Sequence, residues 1–431
     1  MLVKLFILAS LLLASSCEED SSSSGYSGGN VAVKAGSLAG YVPVSDVKEH
    51  SEIDLDLRGI ELAKNDWTAA KKIYTEGGGS MKSSDPVKYR TLQDMANIYK
   101  DPSSTFPRSE PFAKMAHAFW QTWTFADDHM RAVLDGKDEV KYGTYATGDL
   151  AKTDSARSQM TKKLAQYTID WLYVLHEIEG ALAGYNDVSL GNSRFEANGA
   201  AHTLDEAWAF YVGSLEDGSQ EDGEVDGQGL GYAPYMLAEK MSKDFKTYGY
   251  IIGNGGSSRV NWELMYQFTA AQRYLQTPDK AAEVAESFKC IRAQLMVPVV
   301  QACIVYSYEA SSADITSDSN LAKIKAEAWA FCAAALPWLH DVDPTAAAKV
   351  KEEVIISNAK RPNWSVVKES FSGKNLNKMG IKCDDIGSLD EAYPNAKFDK
   401  CSDDKSLFTS SYARSDVCGN VKMPKQRSVG S

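Results

Sequence analysis

The chain has 431 residues, 44% of them hydrophobic, and carries a formal net charge of -12 at pH 7. That apolar content supports a buried core and excludes a disordered chain. With this acidic balance and no basic run longer than two residues, nucleic acid and anionic membrane surfaces are poor partners, and cations are better ones.

The first residues read as an address. Lys4 precedes an apolar stretch, Leu5 to Leu13, and Ala14-Ser15-Ser16 offers small residues for cleavage. Residues 1–16 therefore form an expected signal peptide. No later segment reaches the roughly 18 uninterrupted apolar residues of a membrane span. The mature chain is expected in the periplasmic space, secreted or at the cell surface, without a transmembrane segment. Cleavage before Cys17 also suits a lipoprotein signal, although Ala14 stands where such a signal usually has Leu.

Residues 17–50 are acidic, then rich in Ser and Gly, and read as a flexible leader. Gly25-Tyr26-Ser27-Gly28-Gly29 spells a nucleophile elbow, but without the strand and helix that an elbow requires. From Ile53 the pattern turns helical, since Ile53, Leu57, Ile60 and Trp67 share one helical face. Further helical stretches are expected at 111–135, 156–184, 204–214, 233–247, 260–276, 280–309, 320–338 and 345–358. Alternating strand-like runs are scarce, so the fold class is all-α.

The stretches group into a first helical repeat (51–215), an acidic loop with a connecting helix (216–258), a second helical repeat (259–359) and a tail (360–431). In the acidic loop Asp222-x-Glu224-x-Asp226-Gly227 begins like a calcium loop, but Ala233 occupies the twelfth position where a bidentate Glu is needed. Setting Cys17 aside, Cys290, Cys303, Cys332, Cys383, Cys401 and Cys418 make an even set. Outside the cytosol that points to disulfides, with the pairing open. The polar tail holds half of these cysteines, and staples would help it stay folded. Asn363-Trp364-Ser365 is a glycosylation sequon.

Glu206-Ala207-Trp208-Ala209-Phe210 recurs as Glu327-Ala328-Trp329-Ala330-Phe331. Such a repeat points to internal duplication. Upstream of each copy lies a long helical stretch, and aligning these sets His176 against Tyr306 and Glu179 against Glu309. Two helical bundles related by a pseudo-twofold axis would follow.

His176 and Glu179 share a helical face, one turn apart. Helical bundles build metal sites from such pairs, and Glu206 is the natural third ligand. The equivalent trio in the second copy is Tyr306, Glu309 and Glu327. Imidazole, carboxylate and phenolate together suit ferric iron. One shared site and two separate sites both remain open. Structural alternatives stand beside these readings. His176 could be a satisfied core residue. Thr203 and Glu206 spell a capping box, with Thr203 as N-cap. Glu327 has no such explanation, since Ile324 precedes it by three. The tryptophans are expected in the core.

Catalytic signals are weak, and no enzymatic activity is expected. His176-Glu177 opens like a zinc-protease motif, but Gly180 replaces its second His. No phosphate loop is present, and Gly77-Gly78-Gly79-Ser80 reads as a turn.

The block Glu206-Ala-Trp-Ala-Phe-Tyr-Val-Gly-Ser214, followed by Tyr232-Ala-Pro-Tyr-Met-Leu-Ala-Glu-Lys240 and Phe245, resembles the algal iron-assimilating proteins. These are low-iron-induced periplasmic proteins whose domain is similar to part of the phytotransferrins. The resemblance, over about residues 50–345, implies binding of Fe(III) outside the cell, with carbonate as a synergistic anion, and delivery to a cell-surface transporter or reductase. A second similarity, to imelysin-like periplasmic proteins, rests on His176 and Glu179, with Val174 in place of that family's Gly. It implies a metallopeptidase relative. A structural extracellular glycoprotein without a metal is the remaining alternative.

Overall fold

Helix formers dominate the chain, and the computed structural model bears out the all-α class. It describes residues 36–82, 84–136, 153–216, 229–252, 255–354, 360–389 and 393–407. The signal peptide, Cys17, the Gly25–Gly29 run, the Asp222–Asp226 stretch and Cys418 lie outside the described residues.

The first helices are α1 (Lys48–Ser51), α2 (Ile53–Ala63) and α3 (Trp67–Glu76). The expected face from Ile53 to Trp67 is thus divided between two helices. Lys64 takes a positive φ of 47°, and the Asp66 side chain caps α3 by accepting from the Ala69 amide. A small hairpin, β1 (Met81–Lys82) and β2 (Asp85–Tyr89), leads to α4 (Leu92–Ala96). Next come α5 (Thr105–Ser109), α6 (Pro111–Trp120) and α7 (Phe125–Leu134). The single stretch expected at 111–135 is therefore two helices, broken where Gln121 adopts the left-handed conformation.

The expected 156–184 helix is continuous in direction but not in winding. It runs as α8 (Asp154–Leu164), a π-helical turn (Ala165–Asp170) and α9 (Trp171–Asn186). Then follow α10 (Ala200–Val212), α11 (Pro234–Asp244), the hairpin β3 (Tyr248–Ile252) and β4 (Gly255–Ser258), and α12 (Arg259–Leu275). The longest helices are α13 (Ala281–Ser311) and α14 (Asp318–Val342), and α15 (Pro344–Val354) closes the series. The tail adds the short helices α16 (Trp364–Ser370), α17 (Gly373–Lys378) and α18 (Cys383–Ile386).

The described residues form one unit of contacts around a continuous apolar core. Its centre is the helix pairs α9–α10 and α13–α14. Trp208 and Trp329, both fully buried, lie one in each pair. This pairing is what a duplication requires, and also what any antiparallel bundle produces. α13 is the one helix among the described residues long and apolar enough to cross a membrane, and its most apolar window is 94% buried within the protein. Its hydropathy serves the core.

Cys303–Cys332 joins α13 to α14, and Cys383–Cys401 closes the tail. Cys290 is disulfide-bonded as well. The expectations for both ends need correction. Residues 38–50 of the expected flexible leader bury Leu38, Tyr41, Val47 and His50, and the tail buries Val367, Phe371, Leu376, Ile386 and Leu389 in the same core. Both segments hold scattered apolar residues without a period, a pattern that packing uses but periodicity does not reveal.

Candidate metal centre

The start of α10 fixes the geometry at Glu206. The helix begins after Gly199, so Thr203 lies inside it and the expected capping box does not form. Gly199 is required by close approach: a Cβ there would lie 2.5 Å from the Ser193 carbonyl oxygen. With the helix starting earlier, His202 and Glu206 stand at i and i+4 on one face. Across from them, α9 presents Tyr173, His176 and Glu177.

Next to Glu206 on α10, Asp205 docks the N-terminal arm. Its carboxylate accepts from the Tyr41 hydroxyl, the Val44 amide at 2.8 Å, the Ser45 amide at 3.0 Å, the Ser45 hydroxyl at 2.8 Å and Gln272 Nε2 at 2.9 Å. The Trp208 indole N–H donates to the Leu38 carbonyl at 2.8 Å. These bonds bring Ser45 and, on α1, His50 against α10.

Two imidazoles converge on one carboxylate oxygen. His50 Nε2 lies 2.9 Å and His202 Nε2 lies 3.1 Å from Glu206 Oε1. The hydrogen bond behind His202 sets its proton position. Ser45 gives its hydroxyl proton to Asp205, so at 2.8 Å from His202 Nδ1 it must accept. His202 therefore carries its proton on Nδ1. A neutral ring would then aim a bare Nε2 at a carboxylate oxygen, and a cation must sit between the two. In the metal-free protein that cation is a proton: the hydrogen bond to Glu206 raises the His202 pKa against the effect of burial. Burial pushes Glu206 up, but the hydrogen bonds and charges of His202 and His50 outweigh it and hold the carboxyl at about 2.

Glu177 and His176 extend the group. Burial and the neighbouring Glu206 charge push Glu177 up to about 7. It is hydrogen-bonded to Tyr173, whose phenol is raised by burial and by Glu177. His176 Nδ1 lies 2.6 Å from Glu110 Oε1, and Tyr99 donates to the other Glu110 oxygen at 2.9 Å. That carboxylate fixes the tautomer and leaves Nε2 as the basic nitrogen, as second-shell carboxylates do for metal-binding histidines. The Glu110 bond and charge outweigh burial and raise the His176 pKa. The group is open to solvent on one side, with side-chain exposures of 33% for His202 and 18% for Glu206. Arg90 meets His50 Nε2 and donates to the Met81 carbonyl at 2.8 Å.

Of the residues expected from sequence, His176 and Glu206 thus lie in one neighbourhood, connected through Glu177. Glu179 acts electrostatically on His176 and Glu110 but is held by another partner. It forms a two-pronged ion pair with buried Arg292, with Nη2 to Oε2 at 2.8 Å and Nε to Oε1. Tyr306, Glu309 and Glu327 form a second group, in which Glu327 and Glu309 act on the Tyr306 phenol and Glu327 acts on Glu309. Two lysines share it. Lys240 Nζ donates to the Tyr306 hydroxyl at 2.8 Å, and Lys163 is buried and driven well below its usual pKa by burial, with Lys162 adding and Glu327 opposing. Tyr393 donates to Glu309 at 2.8 Å, and burial pushes that carboxyl up to about 7.

Among the described residues no three His, Cys, Asp or Glu side chains stand in a ready-made metal geometry. At Glu206 the required change is small. Two donors, each about 2 Å from one ion and roughly at right angles, lie about 3 Å from each other. The His50–Glu206 and His202–Glu206 separations already have that length. Sequence reading missed His50, Glu110, Glu177, His202 and Arg90. The His202–Glu206 spacing was available as a signal, but the capping-box reading placed His202 outside the helix.

No curated protein and no solved structure matches the chain. A family model, that of the Fea1 low iron-inducible periplasmic proteins, matches residues 27–407. This span includes the whole of the Glu206 group, and the chain belongs to the Fea1 family of low iron-inducible periplasmic proteins.

Proposed function

We propose that this protein captures ferric iron outside the cell and passes it to the uptake machinery, acting as a binding protein and not as an enzyme. The observation that carries this reading is the approach of His50 and His202 to Glu206 Oε1, with a proton between His202 and Glu206 whose place a metal can take. Glu177 and Tyr173 add oxygen donors that favour a hard, highly charged ion over zinc. Arg90 is positioned to hold an anion such as carbonate beside that ion. Partial exposure of His202 suits loading and release. The receiving partner would be a transporter or reductase at the cell surface, and the signal segment fits export to that compartment.

The test is a competition titration of ferric citrate against purified protein, with and without bicarbonate. His202→Gln combined with Glu206→Gln should weaken binding by on the order of tenfold or more, and Arg90→Gln should remove the bicarbonate dependence. Unchanged ferric affinity in the double variant would sink the assignment. One observation favours a purely structural second reading: Glu179, a residue expected to bind metal, is consumed by Arg292. That reading requires no measurable iron binding by the wild-type protein.

A further inference from the structure

Before the first helix the chain forms an arm, residues 38–47, that lies on α10 and α12. Leu38 and Tyr41 close a tight turn by exchanging backbone hydrogen bonds of 2.8 and 3.0 Å. Gly40 in that turn has φ at 82°, and a Cβ there would lie 2.7 Å from Met265 Sδ on α12, a close approach suited to glycine. The Tyr41 ring is buried against Trp208 and Phe268, with centroids 5.3 and 6.1 Å away. Gln272 on α12 donates from Nε2 to the Tyr41 hydroxyl at 2.7 Å and to the Val42 carbonyl at 3.1 Å. The arm is therefore attached through a small set of specific contacts.

Asp205 is the centre of that attachment. Fully buried, it accepts from the Tyr41 hydroxyl on one oxygen, and from the Val44 amide, the Ser45 amide and the Ser45 hydroxyl on the other. An ionised carboxylate offers acceptor sites only, so each of these groups points its proton at Asp205. The consequence reaches Glu206. With its own proton committed, the Ser45 oxygen accepts from His202 Nδ1 at 2.8 Å, which turns Nε2 toward Glu206 Oε1 as the nitrogen that can bind a metal. The same stretch of chain runs on into α1, whose His50 brings the second imidazole to that oxygen. Lifting the arm from α10 would remove the acceptor that orients the His202 proton, and would loosen His50 as well. His202 and Glu206 would stay on α10 without either.

We propose that Asp205 is a positioning residue for the Glu206 centre, acting through Ser45, and that the arm it holds is a strap whose docking completes that centre. The proposal rests on the reading of the Glu206 group as a ferric site and adds its regulation. If the docked arm improves the site, the ion must in turn tighten the arm, because such coupling is reciprocal. A loaded centre holds the arm down, and an arm drawn off α10 lowers the affinity for the ion. A receiving partner that binds the arm in its undocked form would thereby favour release, without having to reach into the centre.

The test uses the full chain and ferric citrate. Amide hydrogen exchange, read by mass spectrometry with and without the iron, reports opening of the arm directly. Loading should slow exchange across residues 42–50 by about fivefold or more, while residues 373–386 of the tail, as an internal control, stay unchanged. Competition titration supplies the second readout. Ser45→Ala leaves the Tyr41, Val44 and residue-45 amide bonds to Asp205 in place and removes only the acceptor for His202, so it should weaken ferric binding by about tenfold. Ser45→Thr, which keeps a hydroxyl, should restore it, a recovery that loss of packing alone would not give. Asp205→Asn should both speed exchange of the arm and weaken binding, and the two Ser45 variants carry the test if it fails to fold. If the wild type binds ferric iron but the arm exchanges equally in both states, or if Ser45→Ala binds as the wild type does, the strap is overturned and the ferric reading stands. A wild type that binds no ferric iron overturns both.

Discussion

At the residue scale, the position of each proton decides what the candidate centre can hold. His202 has its Nδ1 proton fixed by Ser45, and His176 has its own fixed by Glu110. Metal binding must displace a proton from His202, whose pKa is raised, and from Glu177, which titrates at about 7. Protons and iron compete, so ferric affinity should rise as pH increases from about 6 to about 8 and fall again on acidification. A competition titration across that range checks this. Glu179 gives the contrasting case. Glu179→Ala would leave the Arg292 guanidinium buried without a partner, a loss of about 3–5 kcal/mol. Denaturant unfolding should show that loss, while ferric affinity per folded molecule stays unchanged.

At the element scale, much of the helical content is legible in the sequence. The stretches expected at 233–247, 260–276 and 280–309 correspond closely to α11, α12 and α13. These helices announce themselves through local signals: apolar periodicity, Pro near the start of α11, and the Ser258 side chain capping α12. Breaks were less legible. Lys64 and Gln121 adopt positive φ values although neither residue type advertises a turn, and the start of α10 depends on a close approach by Ser193 and Arg194 that no local pattern records. Gly199→Ala would force that contact apart. It should lower stability by about 1–3 kcal/mol, measured by denaturant unfolding, and weaken iron binding by shifting His202.

At the scale of the whole molecule, the tail is part of the body. Gln294 on α13 donates to Asp385 at 2.9 Å, Gln301 donates to the Ile386 carbonyl at 2.9 Å, and Arg259 pairs with Asp385 at 3.1 Å. Ile386, Leu389 and Phe398 add apolar cover. A chain ending at residue 359 should consequently expose part of α13 and aggregate, or bind a hydrophobic dye, under conditions where the full chain does neither. A tail that merely hung from the bundle would leave solubility unchanged, as size-exclusion chromatography would show.

The sequence by itself determined the helical class, the burial of Trp208 and Trp329 and the kinship with low-iron-inducible periplasmic proteins. Each of these rests on local periodicity or on a contiguous motif. Only the tertiary structure decided which charged groups meet. His50 reaches Glu206 from α1, and Arg292 claims Glu179. The physical reason is one of range. A hydrophobic face repeats every 3.6 residues along one helix and is written in the chain nearby, whereas a polar constellation depends on the angles and registers at which separate helices pack. Those are settled only when the whole core closes.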